Sequence, residues 1–222
     1  MNRNICCGMA ALLLGLMACS SISLSAPSRV VGSGNVITEE RNVNGFSSID
    51  LQGSGNMNVT FGATEAVTVT ADDNIMPWIV TSVSNGKLII RNKSNVNITT
   101  SNPVQIDVTM KSIEGVTLSG SGNIDVADVL GKDILVALFG SGEITMNGTA
   151  DSVKIQLPGS GNIFCKGLKT DSATVSLNGS GNVTVYASES LDASINGSGD
   201  ISYAGNPAQV QKEIRGSGNI SP

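Results

Sequence analysis

The residues of this chain that could act as acids, bases or ligands are few and widely spaced. Histidine is absent, which removes the usual general base, the Ser-His-Asp arrangement and the commonest metal ligand together. Catalysis would have to rest on carboxylates, Lys, Tyr or Ser. The one charged grouping suited to polysaccharide cleavage is Asp125, Asp128 and Glu143 with Lys132 and Lys154, because such enzymes need acids and a base on one face. Scattered charges of this kind are what a solvated surface carries, so the expectation is a non-enzymatic protein. A carbohydrate-active enzyme using Asp125, Glu143 and Lys154 is the rival reading, and a structural component of envelope assembly a third.

Binding offers more. Phe139, Phe164 and Tyr186 fall at or beside solvent-facing positions about one repeat apart. Three exposed rings would form a shallow patch for a glycan or a protein surface. Trp78, the only Trp, is expected to pack within a lobe. Neither a cofactor nor a metal is expected. Glycine-rich calcium rolls repeat every nine residues or so with an Asp in each turn, whereas here only Glu143 and Asp200 supply an acid at the matching place.

The elements that carry these residues are set by a repeat. Gly-Ser-Gly begins at Gly32, Gly53, Gly120, Gly140, Gly159, Gly179, Gly197 and Gly216, with spacings of 21, 67, 20, 19, 20, 18 and 19. It uses 16 of the 26 glycines, so glycine marks position here. Two residues before each motif stand Val30, Leu51, Leu118, Leu138, Leu157, Leu177, Ile195 and Ile214, and four after its first glycine stand Val36, Met57, Ile124, Ile144, Ile163, Val183, Ile201 and Ile220. Both columns are apolar throughout. The position just before the motif is mixed: Val31, Gln52, Ser119, Phe139, Pro158, Asn178, Asn196, Arg215. One kind of column is therefore inward and the other outward.

The apolar columns continue at period two, as in Val153, Ile155, Leu157, which is strand periodicity. Units of this length predict an all-β parallel β-helix, a solenoid with about 20 residues per coil. The glycines are expected to permit positive φ and a tight corner and, lacking side chains, to let adjacent coils approach closely, and the Asn that follows at 35, 56, 123, 162, 182 and 219 to stack in a ladder. The 67-residue gap has room for about three unmarked coils, giving a rod of roughly 50 Å at the usual strand spacing. Around residues 57–115 the rhythm breaks into an elaborated β lobe. Asn85-Gly86 there predicts a type I′ hairpin, and Asp72–Trp78 a loop or single helical turn. Cys165 falls in an inward column with Val126, Met146 and Val185 and is expected to be an inert buried hydrophobe.

Residues 1–18 have one positive charge, Arg3, and an apolar run from Ile5 to Met17 that is too short to span a bilayer. The run ends in Leu16-Met17-Ala18-Cys19, similar to a lipobox, so Cys19 is expected to be lipidated. Cleavage near Ala26 is the alternative. Residues 19–29 would then be a linker and 30–222 the β-helical domain. This makes the protein an exported outer-membrane lipoprotein facing the periplasm or the cell surface. The net charge of −5, from 13 basic and 18 acidic residues without a basic cluster, argues against nucleic acid as a partner. The last coil has no evident cap, and an open edge can template pairing, so a homo-oligomer through the ends or flanks is expected.

The recurring Gly-Ser-Gly-Asn-Ile/Val, the lipobox, Asn-Val-Asn-Gly-Phe-Ser-Ser-Ile-Asp-Leu at 42–51 and Ala71-Asp72-Asp73-Asn74 together resemble the bacterial head GIN domain family. That family is catalogued as autotransporter adhesins and was formerly a domain of unknown function. The resemblance covers residues 30–220 or so. It implies a right-handed parallel β-helix in a cell-envelope protein of Bacteroidetes-like bacteria, and brings no catalytic or binding residues with it. The translocator barrel of an autotransporter is not recognisable in this sequence.

Overall fold

Two buried columns of aliphatic side chains fix the architecture. In a computed structural model, which describes residues 28–222, Leu51, Leu118, Leu138, Leu157, Leu177 and Ile195 are buried ahead of their corners. Met57, Ile124, Ile144, Ile163, Val183, Ile201 and Ile220 are buried behind them. Burying each such side chain is worth about 1.5–3 kcal/mol, and the columns merge into one continuous core. The proposed signal, Cys19, the Ala26 site and all but the last two residues of the linker lie outside the described residues.

The strands are β1 (Ser28–Val31), β2 (Val36–Glu40), β3 (Ser48–Gln52), β4 (Asn56–Phe61), β5 (Ala66–Asp72), β6 (Ile79–Ser84), β7 (Lys87–Asn92), β8 (Val96–Thr99) and β9 (Gln105–Met110). They continue as β10 (Gly115–Leu118), β11 (Asn123–Leu138), β12 (Glu143–Leu157), β13 (Asn162–Leu177), β14 (Asn182–Tyr186), β15 (Ser190–Gly197), β16 (Ile201–Ala204), β17 (Gln209–Gly216) and β18 (Ile220–Ser221). From β10 onward every pairing is parallel and each coil lies on the next, as the β-solenoid reading expects: Ile124 opposes Ile144, Ile144 opposes Ile163, and Ile163 opposes Val183. The long strands β11 to β13 run through the polar turns, which survive as register slips at Val126/Val129 and Thr145/Asn147.

The 67-residue gap does not hold three unmarked coils stacked in sequence. β3 pairs directly with β10, and β4 with β11. The gap instead supplies one unmarked coil, β7 and β9, laid on the opposite side of β3 and β4. Antiparallel β2, β5 and β6 then cover that end. Seven corners are stacked, which at about 4.8 Å per coil span about 30 Å. The lobe forms as expected, with a hairpin whose Asn85 and Gly86 have φ of 51° and 71° and a single 3-10 turn at Met76–Trp78.

Two further expectations fail for physical reasons. The first Gly-Ser-Gly is outside the stack: β1 pairs with β8 in a small separate sheet, and Val36, assigned inward, is 47% exposed. Gly32 lies against Asp72 instead, where an added Cβ would come within 1.9 Å of the carboxylate Oδ2. Of the two roles expected of the corner glycines, close approach of adjacent coils holds and positive φ does not. Of those in the stack only Gly216, at the far end, has one, φ 144°. An added Cβ at Gly120, Gly140, Gly159, Gly179 and Gly197 would stand 1.7–2.3 Å from the carbonyl oxygen of the corner glycine one coil away. Close approach of backbones excludes any side chain there.

Candidate functional site

The strongest departure from a polar solenoid surface is on β11. Residues Ile134 to Phe139 are apolar without interruption, so alternation cannot bury them all. Ile134, Val136 and Leu138 face the core. Leu135 and Phe139 face outward, 40% and 57% exposed, on either side of the buried Ala137. Their neighbours are small or polar: Leu135 lies between Gly115 and Lys154, and Ala137 between Thr117 and Gln156. Pro158 holds the position of Phe139 on the following coil.

Of the three rings expected to form one patch, the structure brings together only two. Phe164 opposes Thr145 and Thr184 on the face that follows the corner, and Tyr186 lies two residues beyond Thr184 on that face. Both are half-buried. Phe139 lies ahead of its corner, on another face. The ring of Tyr186 also has a partner already, since the Lys169 ammonium sits 3.9 Å from its centroid, a favourable cation–π distance.

The charged rival is divided in the same way. Asn123 opposes Glu143 and Asp125 opposes Thr145, so Asp125 and Glu143 are diagonal neighbours behind the corner. Lys154 opposes Leu135 and Thr174 ahead of it, on another stretch of the coil. Asp128 has φ 56° and turns the chain out of the face. Glu143 and Asp200 are separated by the coils of Asn162 and Asn182. The asparagines do form a partial ladder: Asn123 Nδ2 donates to Asn56 Oδ1 at 3.2 Å, and Asn182 Nδ2 to Asn162 Oδ1 at 3.2 Å. It is structural, each amide fixing the next coil.

Along the third side runs a shallow groove of about 510 and 360 Å³ in two adjoining parts, which share Leu130, Gly131 and Asp151. Lys132 and Asp133 line one part, and Lys169, Asp171 and Tyr186 the other. Leu130 is 81% exposed at its centre. Sequence reasoning missed Leu130 and Leu135. The unbroken apolar run at 134–139 was the available signal for Leu135. For Leu130 no periodic signal existed, because the register slip at Val126/Val129 just before it breaks the alternation.

Cys165 is fully buried, and loss of hydration pushes its thiol up to about 12. The final coil is more open: every residue of β17 is exposed. Its inward column is Val210, Lys212 and Ile214 over Leu191, Ala193 and Ile195. Lys212 reaches across this open end, its Nζ donating to the Ile220 carbonyl at 3.0 Å and lying 4.8 Å from the Tyr203 ring centroid. An inward charge on an edge strand discourages edge-to-edge pairing.

Residues 45–207 match the family described as "Putative auto-transporter adhesin, head GIN domain". No curated protein matches the chain. A crystal structure from Bacteroides fragilis NCTC 9343, described as a "putative adhesin", is similar with a TM-score of 0.72 at 24% identity, covering 86% of this chain and 99% of that one. One from Parabacteroides distasonis ATCC 8503, described as a "putative lipid binding protein", has a TM-score of 0.56 at 26% identity, covering 87% and 99%. Another from the same organism, described as a "putative adhesin", has a TM-score of 0.55 at 22% identity, again covering 87% and 99%.

Proposed function

The chain belongs to the head GIN domain family, and we propose that it is a non-enzymatic, adhesin-like protein of the cell envelope, held there by a lipid on Cys19, whose binding surface is the β11 flank. The observation that carries this is the outward pair Leu135 and Phe139 on a solenoid whose other outward columns are mostly Ser, Thr, Asn, Asp and Gln. Exposed apolar side chains grouped on one face mark contact surfaces, and an exposed aromatic is the usual anchor of a protein interface. The ligand on this reading is a protein surface. A glycan in the lateral groove is the weaker reading, because the ring it would stack on already holds Lys169.

The test is adhesion. Beads coated with the protein should adhere to immobilised extracellular-matrix proteins above albumin-coated beads, and the Leu135→Ser, Phe139→Ser double variant should lose most of that adhesion while Tyr186→Ala keeps it. Adhesion unchanged in the double variant would remove the flank from consideration, and saturable glycan-array binding lost in Tyr186→Ala would favour the groove.

A further inference from the structure

The corner stack lacks one rung, and the missing rung leaves a cavity. Beneath β3 and β4 lies the unmarked coil of β7 and β9. Between those two strands there is no three-residue corner. The chain makes a 12-residue excursion instead, residues 93–104, which carries β8 out to pair with β1. Under Gly53-Ser54-Gly55, where the next corner would pack, is a cavity of about 510 Å³. Gly53 records the gap directly. An added Cβ there meets nothing within 4 Å, whereas at every later stacked corner it strikes a glycine carbonyl.

The chemistry of the lining is specific. Leu51, Ile79, Ile90, Ile98, Val104 and Ile106 give it apolar walls, and among its lining residues the only charged one is Arg91. The Arg91 guanidinium donates to the Asn92 carbonyl at 3.2 Å and has no carboxylate within ion-pair distance among the described residues. The roof is fixed in place. Thr100 Oγ1 and Asn102 Nδ2 both donate to the buried Asp72 carboxylate, at 2.7 and 2.8 Å. A volume in the roughly 300–1,000 Å³ range of ligand pockets, apolar walls and a single charge, the exposed Arg91 at the rim, are the usual attributes of a small-molecule site.

We propose that this cavity takes the alkyl chain of an anionic amphiphile, with its acidic head group paired to Arg91. The site is separate from the β11 flank and does not depend on it. Trp78, the only Trp and the sequence neighbour of the lining residue Ile79, should report occupancy through its fluorescence.

The experiment titrates the protein with dodecanoate below its micelle concentration, with dodecyltrimethylammonium as the cationic counterpart. Dodecanoate should give a saturable one-to-one change in Trp78 emission and bind at least about tenfold more tightly than the cation, as charge complementarity requires. Arg91→Gln should remove that preference. Gly53→Leu, whose Cβ meets no atom within 4 Å on the cavity side, should keep its melting temperature and weaken dodecanoate by about tenfold or more. An absence of saturable binding, equal affinity for the cation, or unaltered dodecanoate binding in Gly53→Leu would each overturn the proposal. A Gly53→Leu chain that fails to fold would contradict the open space assigned to that position, and the preference for anion over cation in the unaltered protein decides independently.

Discussion

Gly120 packs directly on Gly53, although 67 residues of chain separate them: an added Cβ at Gly120 would stand 1.8 Å from the Gly53 carbonyl oxygen. The chain leaves the stack after β4, builds the capping lobe on the far side of that coil, and returns to lay β10 on β3. Steric exclusion at such corners predicts that Gly120→Ala or Gly140→Ala costs about 3 kcal/mol or more, the upper end of overpacking penalties. Gly53→Ala, facing the cavity, should change stability by less than about 0.5 kcal/mol. Urea denaturation of the three variants gives the comparison. Equal losses at Gly53 and Gly120 would show that the glycines act through backbone conformation.

Cys165 should be silent in the native protein. Thiolate is the reactive form, and burial has pushed this thiol up to about 12. At pH 8, maleimide should leave the Cys165 peptide unmodified in native protein and label it fully in guanidinium, as read by mass spectrometry. Native labelling at a denatured-state rate would mean that the coil around Val185 and Met146 opens.

Asp72 ties the roof of the cavity to the first Gly-Ser-Gly. Hydrogen bonds from Thr100, and then from Asn102, hold its carboxyl below the ordinary value of 3.8. Those from Ser33 and Asn35 act the same way on Asp73. A depressed carboxylate contributes stability above its unfolded-state value and loses that contribution as pH falls through the folded value. Amides of residues 93–104 should therefore exchange faster relative to those of β12 as pH falls below 3.8, after correction for intrinsic rates. Asp72→Ala should reproduce that loosening at pH 7. Unchanged protection of this segment in Asp72→Ala would refute the tie.

Lys212 should act as a guard on the open end. Replacing it by Val completes an apolar column of Val210, Val and Ile214 on an exposed edge strand, the arrangement that promotes edge pairing. Light scattering should find the Lys212→Val protein associating at lower concentration than the unaltered protein. If both associate equally, the lysine is not what limits contact at this end.

How much was legible follows from where the information is local. Leu118, Leu138 and Leu157 announce their burial by period two, and Asn85-Gly86 announces its hairpin by residue type, so the coils and the turn could be read directly. The same Gly-Ser-Gly at Gly32 wraps a carboxylate and at Gly140 packs on another glycine. Nothing within the tripeptide distinguishes the two, because the difference lies in what sits opposite. The placement of β7 beneath β3 was hidden for a related reason: spatial order there departs from chain order. For the candidate sites, Phe139 was legible as an outward ring, since its column is mixed. Its separation from Tyr186 was not, because that depends on which side of the corner each residue occupies. The cavity under Gly53 is a missing repeat, visible only once the stack around it is in place.

The direct contact between the Gly53 and Gly120 coils underlies the core, the cap and the cavity together, and one cross-link tests it. Ser121 donates its backbone N–H to the Gly53 carbonyl at 3.1 Å, and both Ser54 and Ser121 are exposed, so cysteines at 54 and 121 should lie within the Cα separation of about 4.4–6.8 Å that a disulfide requires. Oxidation of the Ser54→Cys, Ser121→Cys protein should join the two peptides in high yield by mass spectrometry, with single-cysteine variants unlinked. Coils stacked in simple chain order, with three unmarked turns between these corners, would hold the pair about 19 Å apart and yield no intramolecular link, which would contradict this architecture.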